Sequence, residues 1–258
     1  MSGHESTGSK ALDYALAYAR LGWPVIALRP AGSKYEDLFG SSKTARGVEP
    51  ASKSGFKDAT TNSDIIEAWY QKGPENGVGI YPGGAGLLAL DVDTKCGKRG
   101  PEQLEALQNR IGQTLPETLS QQTPSGGTHL IFRLPSDVPE LGNSALPNCP
   151  DVDIRAHKGY IAAEGTATSV GKYRFLDWDP LLDDEPEIAE APTWLIDLLV
   201  KVNGQNPNSI MTQPSSQSLS VLTSIPRIDI DGIPAELKSL VMNGVPHGSR
   251  SQQFHHAV

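Results

Sequence analysis

Leu12, Ala15, Leu16 and Ala19 fall on one stripe of a helix over residues 11–21, and Gly22 closes it. Residues 23–28 then read as a strand, with Pro24 near its start, where no ladder donor is needed. Asn62 or Ser63 caps a second helix that runs to Gln71, with Ile65, Ile66 and Trp69 as its apolar face. Residues 78–81 form a strand and a Pro-Gly-Gly turn follows. The apolar run 87–90 is the next strand. Pro101 opens a third helix, with Leu104, Leu107 and Ile111 on one side. Further strands are predicted at 119–123, 128–133 and 152–155, the last returning as 160–163, and 173–175 adds a short one. A helix over 191–202 carries Trp194, Leu195, Leu198 and Leu199 on its face.

Two stretches depart from this pattern. Residues 30–57 read as a long Gly/Ser/Lys loop, of a length that is usually functional or disordered. From Asn203 the chain turns rich in Asn, Gln, Ser and Pro, which predicts a flexible linker over 203–232. A helical pattern resumes at Ile233, so 233–258 is expected to begin a C-terminal helical domain. Its last residues, Phe254 to Val258, fall in what reads as mid-helix, and the chain is expected to be a fragment of a longer protein, the plain alternative being a natural C-terminus that frays. The main domain is placed at 11–202.

The chain has 258 residues, room for one large domain or two small ones, and plentiful Gly and Pro that suit a loop-rich α/β or α+β domain. No apolar stretch is long enough to span a membrane, and residues 1–10 lack a signal-peptide core. Cys96 and Cys149 are the only cysteines and form no CxxC pair. This argues against a disulfide framework or structural zinc and for a cytoplasmic setting. The net charge of -8 argues against a nucleic-acid partner until its distribution is considered. Asp177, Asp179, Asp183, Asp184, Glu185, Glu187 and Glu190 form an acidic stretch with no Lys or Arg between them. Setting it aside leaves the rest nearly neutral. In 29–57, Arg29, Lys34, Lys43, Arg46, Lys53 and Lys57 outnumber Glu36, Asp37 and Glu49. Such a locally basic surface can bind phosphates whatever the total charge, and a mixed solvated loop is the alternative.

Three motifs carry candidate chemistry. The run Gly86-Leu87-Leu88-Ala89-Leu90-Asp91-Val92-Asp93 ends in two acids one residue apart. In a strand, i and i+2 share a face, so Asp91 and Asp93 present oxygens side by side. Adjacent carboxylates repel unless a cation neutralises them, and an oxygen-rich pair suits Mg²⁺ or Mn²⁺. The plain alternative is a strand end with two solvated acids. The second motif, Thr123-Pro124-Ser125-Gly126-Gly127-Thr128-His129, runs a Ser-Gly-Gly turn into a strand. Backbone amides in such a turn make an anion nest, and glycine lets a phosphate come close. Its alternative is a hairpin with a structural His. The third, Asp151-Val152-Asp153-Ile154-Arg155-Ala156-His157-Lys158-Gly159-Tyr160, puts Asp151, Asp153 and Arg155 on one strand face. One acid there can complete a metal site while Arg155 or Lys158 neutralises a polyphosphate. A hairpin with surface charges is the alternative. No Gly-x-Gly-x-x-Gly follows a strand and opens a helix, which disfavours a Rossmann enzyme.

Taken in order, Asp-x-Asp, Gly-Gly-x-His and Asp-x-Arg resemble the primase-polymerase (prim-pol) domains of the archaeo-eukaryotic primase superfamily. The flanks are similar too, at Gly55-Phe56-Lys57-Asp58-Ala59-Thr60 and at Gly159-Tyr160, and the resemblance covers roughly residues 11–200. It is nearest to the N-terminal domains of phage and plasmid replication proteins, often fused to a helicase. Gly244-Val245-Pro246-His247-Gly248-Ser249-Arg250 resembles the start of the small helical domain that follows them. The resemblance implies an α+β fold: a mixed sheet with an RNA-recognition-like core and flanking helices. It implies Asp91, Asp93 and Asp153 as ligands of two divalent ions, with His129 also catalytic. Ser125, Gly126, Gly127 and His129 would hold phosphates, with Arg155 and Lys158 as helpers. The implied partners are single-stranded template and primer, dNTPs or NTPs, and a linked helicase region, in the cytoplasm of a bacterial host. Two departures stand out. Some relatives carry a Cys-rich zinc stem, which two distant cysteines cannot form. The second motif is often Ser-x-His, and Gly127 takes the place of that Ser. Tyr160 is a candidate sugar-sensing side chain or a buried aromatic. A metal-dependent nuclease or phosphohydrolase using the same acids, with His129 as base, and a non-catalytic nucleic-acid-binding module are the rival readings.

Overall fold

The apolar run that ends in Asp91 is the spine of the main sheet. The computed structural model describes residues 10–202 except Leu38. The linker read at 203–232 and the helical region read at 233–258 lie outside the described residues. In chain order the elements are α1 (Lys10–Arg20), β1 (Val25–Leu28), β2 (Lys34–Glu36), β3 (Ser42–Thr44), α2 (Ser63–Lys72), β4 (Gly77–Ile80), β5 (Leu87–Val92) and α3 (Gly100–Ile111). There follow β6 (Ser120–Gln122), β7 (Thr128–Arg133), β8 (Ser144–Leu146), β9 (Cys149–Arg155), β10 (Ile161–Ala162), β11 (Ala167–Thr168), β12 (Gly171–Lys172), β13 (Arg174–Phe175) and α4 (Thr193–Val202).

Six strands form one sheet in the order β13-β6-β7-β5-β9-β8, and three form another in the order β1-β4-β10. The pairs β2-β3 and β11-β12 stand as separate hairpins. Alternation along β5 divides the core. Leu87 and Ala89 join Leu119, Ile131 and Phe175 on one face, packed against Val25, Val78, Ile80 and Ile161 of the smaller sheet and Tyr18 and Ile66 of α1 and α2. Leu88, Leu90 and Val92 join Phe132, Val152 and Ile154 on the other, covered by Leu104 and Leu107 of α3 and Leu195 and Leu199 of α4. Each such aliphatic side chain contributes roughly 1.5–3 kcal/mol by leaving water. A strand with both faces covered reads as an unbroken apolar run, as residues 87–90 of β5 do.

The fold is α+β, but the main sheet is not the mixed one expected. Every strand pair in it is antiparallel. Short links join β6 to β7 and β8 to β9, and these permit only antiparallel neighbours. The α3 crossover makes β5 and β6 run the same way, yet β7 lies between them. The segment 30–57 is also more ordered than the loop expected. It contains the β2–β3 hairpin and a 3₁₀ turn, Gly55–Asp58. Local polar bonds shape the hairpin: Lys34 Nζ donates to Thr44 Oγ1 at 2.6 Å, and Asp37 accepts from the Phe39 and Ser41 amides. In α2 the Asn62 cap is as read, its side-chain oxygen accepting from the amides of Asp64 and Ile65. Its buried face is Ile66 and Tyr70, whereas Ile65 is exposed. The strand after the third motif does not fold back on β9. As β10 it pairs with β4 in the smaller sheet.

Candidate active site

Asp91, His129 and Asp153 form one row across three strands. Asp91 on β5 stands opposite His129 on β7 and, on its other side, opposite Asp153 on β9. Cross-strand partners share a face with Cβ atoms about 4.5–5.5 Å apart, so one end of the inner sheet face turns polar at this row. His129 Nε2 lies 3.5 Å from Asp91 Oδ1. Arg155, two residues on from Asp153, places Nη2 2.8 Å from Asp153 Oδ2 and 3.8 Å from Asp91 Oδ2.

Asp93 lies just past the end of β5 and is buried. Its amide donates to Asp151 O and its carbonyl accepts from the Gly100 amide, both at 3.0 Å, which ties it to β9 and the start of α3. Its carboxylate is held by two lysines: Lys95 Nζ lies 3.0 Å from Oδ1 and Lys98 Nζ 2.7 Å from Oδ2. Asp151 serves the helix instead, accepting at Oδ2 from the Arg99 amide and from Gln103 Nε2.

The Ser-Gly-Gly turn packs against this same strand end. Thr94 Oγ1 donates to Ser125 O at 3.4 Å. Gly126, at φ +88°, donates its amide to Thr123 O, so that N–H is spent within the turn. At Gly127 a Cβ would come within 2.6 Å of Val92 O, which explains a glycine where a Ser is often found. Lys158 lies on an exposed turn, and its ammonium has no ionic partner among the described residues. Tyr160 donates its hydroxyl to Val48 O at 2.8 Å, and burial pushes its pKa up to about 12.

Sequence reasoning missed four residues of the site. Lys95 and Lys98 follow Asp93 by two and five positions, and that closeness was the available signal. Gln121 pairs with His129 across β6 and β7, a register that a two-strand hairpin implies. Tyr173 stacks on the His129 ring at 5.7 Å and 28°, a contact without a sequence signal, and burial raises its pKa to about 12.

The electrostatics are those of acids neutralised by the protein's own cations. Burial disfavours the Asp91 carboxylate, but the hydrogen bond from His129 and the charges of Arg155 and Lys95 outweigh it and hold its pKa below the usual value. Asp93 in turn raises the pKa of Lys98. Among the described residues no three His, Cys, Asp or Glu side chains converge tightly enough to cage an ion as they stand. The donor set nevertheless fits a hard divalent cation. One guanidinium nitrogen already approaches both Asp91 and Asp153, and two ammoniums occupy Asp93, so each acid has a cation position beside it. A concavity of about 840 Å³ lies elsewhere, lined by Asp177, Asp183, Glu185 and Glu187 beside Thr118 and Ser120. It contains none of these residues.

Residues 15–194, which hold every site residue named above, match the Prim-Pol family, the N-terminal region of bifunctional DNA primase/polymerases. The chain belongs to this family. No curated protein matches it. Membership in the Prim-Pol family implies nucleotidyl transfer by a DNA primase/polymerase, with nucleic acid and nucleotides as substrates. No helix among the described residues is long and apolar enough to cross a membrane.

Proposed function

We propose that this Prim-Pol domain builds and extends DNA primers on a single-stranded template at the Asp91–His129–Asp153 row. The observation that carries this is the register, which brings residues from all three motifs onto one sheet face. The core strands read β9-β5-β7-β6 across the sheet, with a helix between β5 and β6, and this order supports the RNA-recognition-like core. Asp91, Asp93 and Asp153 would hold two divalent ions, Mg²⁺ or Mn²⁺. Bound there, such ions would supply a lowered pKa for an attacking hydroxyl and neutralisation of the phosphates.

The chain's own residues position and neutralise the nucleotide. His129 Nε2 and Ser125 Oγ donate to phosphate oxygens, with the glycines of the turn admitting them closely. Arg155, Lys95 and Lys98, the cations that now sit on the acids, become counter-charges for the triphosphate. Lys53 and Lys57, exposed near the β2–β3 hairpin, supply sequence-tolerant contacts to the template backbone. The reading extends to replication of a phage, plasmid or similar element in a bacterial cytoplasm, with a helicase region joined C-terminally. The family's designation as an N-terminal region supports a further region on its C-terminal side.

The test is extension of a labelled primer on single-stranded template with dNTPs or NTPs and either metal. Wild type is expected to extend and Asp91→Ala to lose at least about 10³-fold, the loss of several kcal/mol of charge stabilisation. Near-normal synthesis by a folded Asp91→Ala variant sinks the assignment. Primer shortening without dNTP would move it to a nuclease.

A further inference from the structure

Gln121 is fully buried and stands directly across from His129 on the neighbouring strand. Its side-chain amide is completely committed. Oε1 accepts from the Glu164 backbone amide at 2.9 Å, and Nε2 donates to Ala162 O at 3.0 Å. These two bonds fix which end of the amide is which. Turned over, it would set its NH₂ against an N–H and its oxygen against a carbonyl. Nε2 is also 2.9 Å from His129 Nδ1, and its second hydrogen points there. Nδ1 therefore accepts, and the proton of the neutral ring stands on Nε2, the nitrogen facing Asp91. Tyr173, stacked on the ring, limits its rotation. Ala162 closes β10 of the smaller sheet and Glu164 follows two residues on, so Gln121 sets the imidazole against both sheets at once.

We propose that Gln121 is a positioning residue that locks His129 as the Nε2–H tautomer, so that Nε2 donates into the site. With no nucleotide present it faces Asp91. With one bound it donates to a phosphate oxygen. That last step rests on the function proposed above, whereas the tautomer does not.

The experiment reads the imidazole nitrogens of the full chain directly. In a ¹⁵N-histidine-labelled sample the His129 signals are identified by their loss in His129→Gln. The expected pattern is Nδ1 unprotonated and Nε2 protonated. In Gln121→Met, which keeps the volume and removes the donor, a protonated Nδ1 is expected to appear. The nucleotide KM is expected to rise about tenfold, the loss of one hydrogen bond to a charged group, with kcat changing less. A protonated Nδ1 in wild type overturns the proposal, and so does an unchanged tautomer in a folded Gln121→Met variant. If that variant fails to fold, the wild-type spectrum alone decides. The expected tautomers without primer extension by wild type would support the lock while removing the function assigned to it.

Discussion

Asp91 and Asp153 face each other across neighbouring strands, and one guanidinium nitrogen of Arg155 reaches both carboxylates. Two acids in this position repel unless a cation stands with them, and Arg155 supplies that cation. Arg155→Met keeps much of the volume and leaves the pair unneutralised. It is expected to destabilise the fold by about 1–2 kcal/mol, since the groups are only partly buried and solvent screens part of the interaction. A domain of this size then melts a few degrees lower, about 2–4 °C per kcal/mol. Millimolar Mn²⁺ is expected to raise the Tm of the variant more than that of wild type. Equal shifts in both proteins would contradict this account.

How much of this site was legible in the sequence follows from the range of each interaction. Alternation put Asp91 and Asp93 at one strand end, because β5 is buried on both faces and its pattern is unbroken. The motif order placed His129 and Asp153 in the same site. Their common row depends on strand order and register, which composition and spacing do not encode. Tyr173 reaches His129 from the loop before β13, and Gln121 acts through Ala162 and Glu164 of a distant segment, so neither has a local signature. The β2–β3 hairpin escaped because its side chains are mostly exposed and show no apolar alternation. The antiparallel sheet escaped because β5 and β6 run the same way without touching.

The aromatic floor of the domain makes its stability sensitive to alkali. Tyr14 Oη lies 3.3 Å from Glu164 Oε1, and Tyr18 donates its hydroxyl to Glu164 O at 2.9 Å. Burial, reinforced by the Glu164 charge, pushes the Tyr14 pKa up to about 12 and that of Tyr18 well above its ordinary 10.0. A pKa raised on folding means that the neutral phenol is favoured in the fold. That stability is fully present below pH 10 and is lost as pH rises through the folded pKa. Urea melts at stepped pH are expected to show a decline between pH 10 and 12, with phenolate absorbance rising at unfolding. Tyr14→Phe/Tyr18→Phe is expected to cost about 1–3 kcal/mol at neutral pH from two lost hydrogen bonds and to flatten that decline. A decline of the same steepness in the double variant would place its origin elsewhere.

Gly127 links stability to the site at a single backbone position. A methyl group there would stand 2.6 Å from Val92 O, closer than real Cβ contacts come, and a tight 3.1 Å from Thr123 Oγ1. Val92 ends β5 immediately before Asp93, so the neighbour that must give way is main chain, with no flexible side chain to absorb the change. Gly127→Ala is therefore expected to destabilise by about 1–3 kcal/mol, as overpacking of a close contact does. Ala tolerates the backbone here, since Gly127 is not among the glycines with positive φ, so the penalty is steric. The turn carrying Ser125 would then move away from Asp93, and the KM for nucleotide is expected to rise more than kcat falls. By contrast Gly126→Ala places its methyl group in ordinary van der Waals contact, 3.6 Å from Thr94 Oγ1, but at φ +88°. Its cost is the smaller strain of a left-handed residue, about 1 kcal/mol. Denaturant melts and steady-state primer extension on both variants separate the two effects. A Gly127→Ala protein as stable as wild type and unchanged in KM would show that the turn does not press on the end of β5.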